Sequence, residues 1–138
     1  MSDLKFLKKY FSDLKDLLNN EKYFEDLVKV KEVLQKTNSE GKKAMIFGNG
    51  GSAAIASHFS VDLTKNARVR CTNYNESDLL TCFSNDYGYE HWVEKSIDYY
   101  ADEGDVIILI SASGESKNMI NAVKAANKKK NKKYNYFY

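Results

Sequence analysis

Two short apolar segments, each followed by a loop rich in Gly and Ser and then by a helical pattern, most constrain the fold of this chain. The first is KAMIF at 43–47, followed by GNGGS, and the second is VIILI at 106–110, followed by SASGES. Continuous apolar runs of this length are typical of strands buried on both faces, and strands that alternate with helices form parallel sheets. We therefore predict an α/β fold, a three-layer αβα sandwich of the flavodoxin-like type around a parallel sheet.

The rest of the chain is predicted to be mostly helical, with one further strand at 67–72. The predicted helices span 2–19, 21–37, 52–65, 78–84, 88–101 and 115–130. The first two form an N-terminal helical hairpin, and their apolar stripes must pack on the domain or on another subunit. The predicted division is an oligomerisation segment at 1–40, a partial α/β domain at 41–130 and a low-complexity tail at 131–138.

Composition narrows the class of protein. The 138 residues are 29% charged and 43% hydrophobic with a net charge of +2, which is typical of a globular domain and gives no reason to expect a nucleic-acid partner. No signal-peptide pattern opens the chain, and its longest apolar run is too short for a membrane span. We expect a cytoplasmic protein without a membrane partner, in which Cys71 and Cys82 are reduced thiols rather than metal ligands.

The first loop, at 48–52, leaves three interpretations open when it is taken alone. GNGGSA fits the G-x-G-x-x-A variant of the dinucleotide fingerprint, but the acidic residue expected after the second strand is absent. A P-loop is excluded because no Gly-Lys-Ser/Thr follows. A dinucleotide loop, a sugar-phosphate loop and a tight turn without a ligand therefore all remain.

The second loop points to an anion. Ser111, Ser113 and Ser116 offer hydroxyl groups, and Gly114 allows the backbone to turn so that amides point inward. A helix follows, and its free N–H groups and dipole favour a phosphate. Glu115 would repel a phosphate, so its side chain is expected to point outward into solvent.

Together these motifs resemble the sugar isomerase (SIS) domain family. The resemblance is carried by GNGGS at 48–52, His58, NDYGYE at 85–90, GDV at 104–106 and SASGESKN at 111–118. The branch that the chain resembles most is the phosphoheptose isomerases. The resemblance implies an isomerase that converts sedoheptulose 7-phosphate to D-glycero-D-manno-heptose 7-phosphate through an enediol, for the heptose of lipopolysaccharide or capsule.

The resemblance also implies roles for particular residues. The implied substrate-binding residues are Asn49, Gly50, Gly51, Ser52, Asp86, Ser111, Ala112, Ser113 and Ser116. Asp62 and Asp86 are the implied catalytic carboxylates. His58 and Asp62 are the implied ligands of one zinc ion, and their four-residue spacing places them on one helical face. Without the resemblance, the same spacing is typical of a surface pair. Heptose isomerases carry Glu where this chain has Asp62, so Asp62 would act as a base only after a shift of its helix.

The family resemblance further implies self-association, as a dimer or a tetramer with sites between subunits. Relatives complete the site with a C-terminal Gln and His, whereas this sequence ends in KKKNKKYNYFY. When the tail is written as codons that end in A or T and is read one base later, the residues from Lys128 onward become a run that resembles a buried strand. We therefore expect a truncated or frameshifted isomerase, which the truncation can inactivate. The alternative function is a non-enzymatic SIS protein, either a sugar-phosphate sensor or a partner in replication initiation.

Overall fold

A computed structural model describes residues 2–128, which belong to two compact units, one ending at Glu32 and one beginning at Val33. Helix α1 spans Asp3–Leu18, a 3₁₀ turn follows at Glu21–Tyr23, and helix α2 spans Phe24–Ser39. Within residues 2–128, none of the helices combines the length and hydropathy that a membrane span requires. The predicted tail at 131–138 lies outside the described residues, and the predicted boundary at residue 40 stays a prediction.

Helix α1 has an exposed apolar face. The helix lies entirely within the described residues, and none of its side chains is buried. Its large exposed apolar side chains are Leu4, Phe6, Leu7, Tyr10, Phe11, Leu14, Leu17 and Leu18. Their three- and four-residue spacing makes the helix amphipathic, as the sequence predicted.

The second unit is built on three parallel strands in the order β2-β1-β3. The strands are β1 at Ala44–Gly48, β2 at Cys71–Asn73 and β3 at Val106–Ile110. β1 and β3 pair over their full length, with Ala44 opposite Val106 and Gly48 opposite Ile110. The predicted parallel α/β fold is confirmed, and the first and third strands lie where the apolar runs placed them.

The second strand is shorter than the predicted segment at 67–72. Arg68 has a φ of 58°, in the left-handed region, and this conformation interrupts an extended backbone. The amide of Val69 bonds to the carbonyl of Leu63 at 2.9 Å, at the end of the preceding helix, rather than to a neighbouring strand. Regular pairing with β1 therefore begins only at Cys71.

Four helices connect and cover the strands. They are α3 at Gly51–Lys65, α4 at Ser77–Tyr87, α5 at Trp92–Tyr100 and α6 at Lys117–Lys128. Helix α4 extends past the predicted end at 84, so that Asn85 and Asp86 lie in its last turn. The predicted helix at 88–101 begins instead with a 3₁₀ turn at Tyr89–His91, after Gly88 adopts a φ of 86°.

The helices lie on both sides of the sheet, which explains the uniformly apolar strands. On one face, Met45 and Phe47 of β1 and alternate residues of β3 form the main core with α5 and α6. Trp92 is the largest fully buried side chain there and packs edge-on against Phe47. Because side chains alternate along a strand, Ala44 and Ile46 point to the opposite face, where α3 contacts β1 and β2.

A buried ion pair joins the amino-terminal ends of β1 and β3. Asp105 is 1% exposed, and its carboxylate accepts bonds from the Lys43 ammonium at 2.6 Å and the Lys43 amide at 3.1 Å. It also accepts the amide of Asp102 at 2.8 Å. Burial lowers the pKa of Lys43, but hydrogen bonds to Asp102 and Asp105 outweigh it, so the pKa is raised overall. This anchor lies at the opposite end of the strands from the two Gly/Ser loops.

The close approach of β1 to α3 yields a stability prediction. A Cβ atom on Gly48 would overlap the backbone carbonyl of Ser52. Because Ser52 lies in the first turn of α3, its backbone cannot shift easily. We expect Gly48→Ala to lower the free energy of unfolding by about 2 kcal/mol, measured by urea denaturation. Gly51→Ala is the matched control, because nothing lies within 4 Å of its Cβ position. Equal stability of the Gly48→Ala variant and the control would contradict this packing.

Candidate functional site

The two Gly/Ser loops meet at one edge of the sheet. They follow β1 and β3, which are adjacent and parallel, so both leave the sheet at the carboxyl ends of the strands. Asn49 in the first loop and Asn118 at the start of α6 exchange two amide hydrogen bonds, of 2.9 and 2.8 Å. These bonds join the first loop to α6, the helix that follows the second loop.

The first loop is a tight turn that begins helix α3. Gly50 adopts a φ of 53° and a ψ of −119°, a backbone conformation that favours glycine. The amide of Ser52 bonds to the carbonyl of Asn49 at 2.9 Å, and the amide of Ala53 bonds to that of Gly50 at 3.0 Å. Gly51 and Ser52 form the first turn of α3, so the positive end of its dipole lies at this edge.

The second loop is held by its own serines. Ser111 Oγ accepts the amide of Gly114 at 3.2 Å and lies 3.5 Å from Ser116 Oγ. Ser113 Oγ accepts the amide of Glu115 at 3.1 Å. The Glu115 side chain is exposed, as expected, so its charge is solvated.

This loop can therefore bind an anion. Ser111 and Ser116 are half-buried, whereas Ala112 and Ser113 are exposed, and Gly114 has a φ of 67°. Helix α6 begins directly after the loop, so its first turn and the positive end of its dipole lie at this site. Hydroxyl groups and helix amides together form a typical phosphate environment, but the phosphate roles of the serines stay a prediction.

Two residues of this network had no role assigned from the sequence. Asn118 is 2% exposed and forms the link between the loops, and the Tyr89 hydroxyl donates to Asn49 Oδ1 at 3.1 Å. A signal for Asn118 was its place just after the serine loop, where polar residues interact with helix termini. The signal for Tyr89 was its place in the NDYGYE motif at 85–90, which carried the family resemblance without assigning a role to this tyrosine.

The predicted metal ligands form a pair on the surface of α3. His58 Nε2 lies 3.6 Å from Asp62 Oδ2, and the two side chains are 82% and 47% exposed. Asp62 Oδ1 also accepts Asn66 Nδ2 at 3.0 Å. The donor types and their spacing suit zinc, which usually takes four ligands. Residues 2–128 contain no group of three or more His, Cys, Asp or Glu side chains placed to hold a metal, so the donor set is incomplete there.

Asp86 lies in the last turn of α4 and is exposed. Its Oδ1 accepts Asn85 Nδ2 at 2.9 Å, and its Oδ2 lies 3.6 Å from Cys82 Sγ. The negative charge of Asp86 raises the pKa of the Cys82 thiol. Over the described range, no hydrogen bond or ion pair joins Asp86, His58 or Asp62 to either loop. The structure thus joins the two loops by hydrogen bonds, whereas the predicted carboxylates bond to near neighbours in the sequence.

Comparison with known proteins places this geometry in a family. The SIS domain family model matches residues 9–132. A phosphoheptose isomerase of Fusobacterium nucleatum is 36% identical over 124 residues, which are 86% of this chain and 64% of the relative. That of Aliarcobacter butzleri is 37% identical over 108 residues, 74% of this chain and 57% of the relative. The chain thus spans less than two thirds of the length of these relatives.

Solved structures agree with the family match. The phosphoheptose isomerase of Neisseria gonorrhoeae superposes with a TM-score of 0.87 at 28% identity, over 98% of this chain and 74% of that one. The enzyme of Francisella tularensis has a TM-score of 0.86 at 22% identity, over 99% of this chain and 75% of that one, which supports the fold alone. Because the family model covers most of the sequence, this chain belongs to the SIS domain family.

Proposed function

We propose that this chain binds a sugar phosphate and acts in the isomerisation of sedoheptulose 7-phosphate to D-glycero-D-manno-heptose 7-phosphate. The observation that carries the proposal is the paired Asn49 and Asn118 amides, which join the two loops at the carboxyl edge of the sheet. Curated relatives named phosphoheptose isomerase support the substrate. The product would supply the heptose of lipopolysaccharide or capsule. The cytoplasmic location of this protein stays a prediction.

The serine loop is the proposed phosphate end of the site. A phosphate over the start of α6 would accept bonds from helix amides and from the hydroxyls of Ser111, Ser113 and Ser116. Ala112 would contribute its backbone. Asn49, Gly50, Gly51 and Ser52 would contact the sugar from the neighbouring loop. This arrangement holds the ligand between two rigid turns, which favours a defined orientation of the sugar.

Isomerisation also requires a group that moves a proton between neighbouring sugar carbons. Asp62 and Asp86 are the proposed candidates, and both carboxylates must reach the substrate within about 3 Å to act. In the described part of the chain, neither carboxylate forms a hydrogen bond with a loop residue.

The alternative function, a non-enzymatic sugar-phosphate sensor or a replication-initiation partner, uses the same pocket without turnover. The observation that favours it is the half-exposed side chain of the candidate base Asp62, whose carboxylate is engaged by Asn66 and lies beside His58. Binding of sedoheptulose 7-phosphate without formation of the aldose product would support this alternative over the isomerase.

Self-association is the second part of the proposal, and the partner is another copy of this chain. Helix α1 exposes a stripe of large apolar side chains that includes Leu7 and Phe11. A contiguous apolar surface of this kind usually marks a protein interface. Association through α1 would cover the stripe and produce a dimer or a tetramer.

The phosphate role of the serine loop is tested by titration calorimetry with sedoheptulose 7-phosphate. We expect Ser111→Ala, Ser113→Ala and Ser116→Ala each to weaken binding about tenfold, because each removes a hydrogen bond to a charged group. Ser39→Ala is the matched control, since its hydroxyl bonds to the Lys36 carbonyl at the end of α2. Absence of heat with any sugar phosphate, or unchanged affinity in all three variants, would refute the proposed site.

Zinc binding is tested by metal analysis after loading and dialysis. We expect His58→Ala to retain less zinc than the unaltered protein, because imidazole nitrogen is the stronger of the two candidate donors. His91→Ala is the control, since its Nδ1 is engaged with Glu94 at 2.7 Å. Equal zinc content in both variants would exclude His58 as a ligand.

The α1 interface is tested by light scattering coupled to size-exclusion chromatography. We expect the unaltered protein to elute as an oligomer and Leu7→Glu/Phe11→Glu to shift it toward one chain, because charge within an apolar interface is poorly solvated. Lys5→Glu makes the same change in net charge on the polar face and should leave the oligomer intact. A monomeric unaltered protein would contradict the proposal.

A further inference from the structure

The hydrogen-bonding capacity of Asn49 is almost fully used by the protein itself. Its Oδ1 accepts Asn118 Nδ2 at 2.8 Å and the Tyr89 hydroxyl at 3.1 Å, which occupies both lone pairs of the oxygen. Its Nδ2 donates one hydrogen to Asn118 Oδ1 at 2.9 Å. An amide nitrogen carries two hydrogens, and among residues 2–128 the second has no acceptor. Asn49 can therefore offer a ligand a hydrogen but not a lone pair.

The orientation of this amide is set from the backbone of α6. The Met119 amide lies 3.1 Å from Asn118 Oδ1 and 2.9 Å from the Ser116 carbonyl. A backbone N–H can only donate, so the side-chain atom of Asn118 that faces it must be oxygen. The other atom of the Asn118 amide is then nitrogen, and the Asn49 atom opposite that nitrogen must be oxygen. A flip of either amide alone would place nitrogen opposite nitrogen and oxygen opposite oxygen, and both hydrogen bonds would be lost.

We infer that Asn118 is a positioning residue that fixes Asn49 as a hydrogen-bond donor toward an acceptor oxygen of the ligand. Asn118 itself is 2% exposed, so it acts through Asn49 rather than by touching the ligand. The inference rests on the proposed function for the nature of that ligand, a phosphorylated sugar. Carbonyl and phosphate oxygens have the lone pairs that a fixed N–H recognises.

Tyr89 supplies the second support for the same orientation. It belongs to the 3₁₀ turn between α4 and α5 and is half-exposed, so its hydroxyl reaches Asn49 from a third segment of the chain. Because two donors converge on Oδ1, loss of the Tyr89 hydroxyl leaves the Asn118 contacts in place. Loss of the Asn118 side chain removes both reciprocal bonds and frees the Asn49 amide to rotate.

The experiment combines side-chain amide NMR of the ligand-free protein with calorimetric titration of sedoheptulose 7-phosphate. In Asn118→Ala we expect the Asn49 Nδ2 proton signals to shift and to exchange faster with water, and sugar-phosphate affinity to fall about tenfold, as for one lost charged hydrogen bond. Tyr89→Phe, at an exposed position, removes only the hydroxyl and should produce the same changes to a smaller extent. Asn121→Ala is the control on the same helix, because its amide bonds only to the exposed Glu90 carbonyl.

The two readouts separate the inference from the function on which it rests. If the unaltered protein binds the sugar phosphate but Asn118→Ala and Tyr89→Phe match it in affinity and in the Asn49 signals, the positioning role is wrong. If the unaltered protein does not bind, the proposed function fails. The Asn49 signals then still decide whether Asn118 orients the amide.

Discussion

Parallel pairing of β1 with β3 is the constraint on which the rest of the second unit depends. Full-length pairing, from Ala44 opposite Val106 to Gly48 opposite Ile110, brings two loops that are more than sixty residues apart in sequence to the same edge. The buried carboxylate of Asp105 ties the amino-terminal ends of the same two strands through the Lys43 amide and ammonium. An ion pair thus stabilises one end of the strand pair, and the polar loops lie at the other end.

Close packing around this pair explains the small residues of the first loop. Gly48 has no space for a side chain beneath Ser52, and Gly50 adopts a conformation that favours glycine. Asn49 lies between them and is held by side chains from two other segments, Tyr89 and Asn118. These contacts hold the loop from two other segments, so the proposed ligand would meet donors that are already in place before binding.

Much of this could be predicted from the sequence because the relevant signals are local. Buried runs such as VIILI predict strands, and Gly and Ser after a strand predict a turn that opens a helix. The start of β2 could not be predicted, since neither the left-handed backbone at Arg68 nor the bond from the Val69 amide to the end of α3 has a local sequence signal. The Asn49 and Asn118 pair was missed for a related reason. Its partners are 69 positions apart, and their contact exists only once β1 and β3 have paired.

The central claim is that the two loops form one site for the anionic end of a sugar. A crystal structure of the protein with bound sedoheptulose 7-phosphate tests it most directly. The account predicts phosphate density over the start of α6, within hydrogen-bonding distance of the Ser111–Ser116 loop, with a sugar oxygen beside Asn49 Nδ2. Density for the phosphate elsewhere on the protein, or an empty loop under saturating ligand, would contradict it.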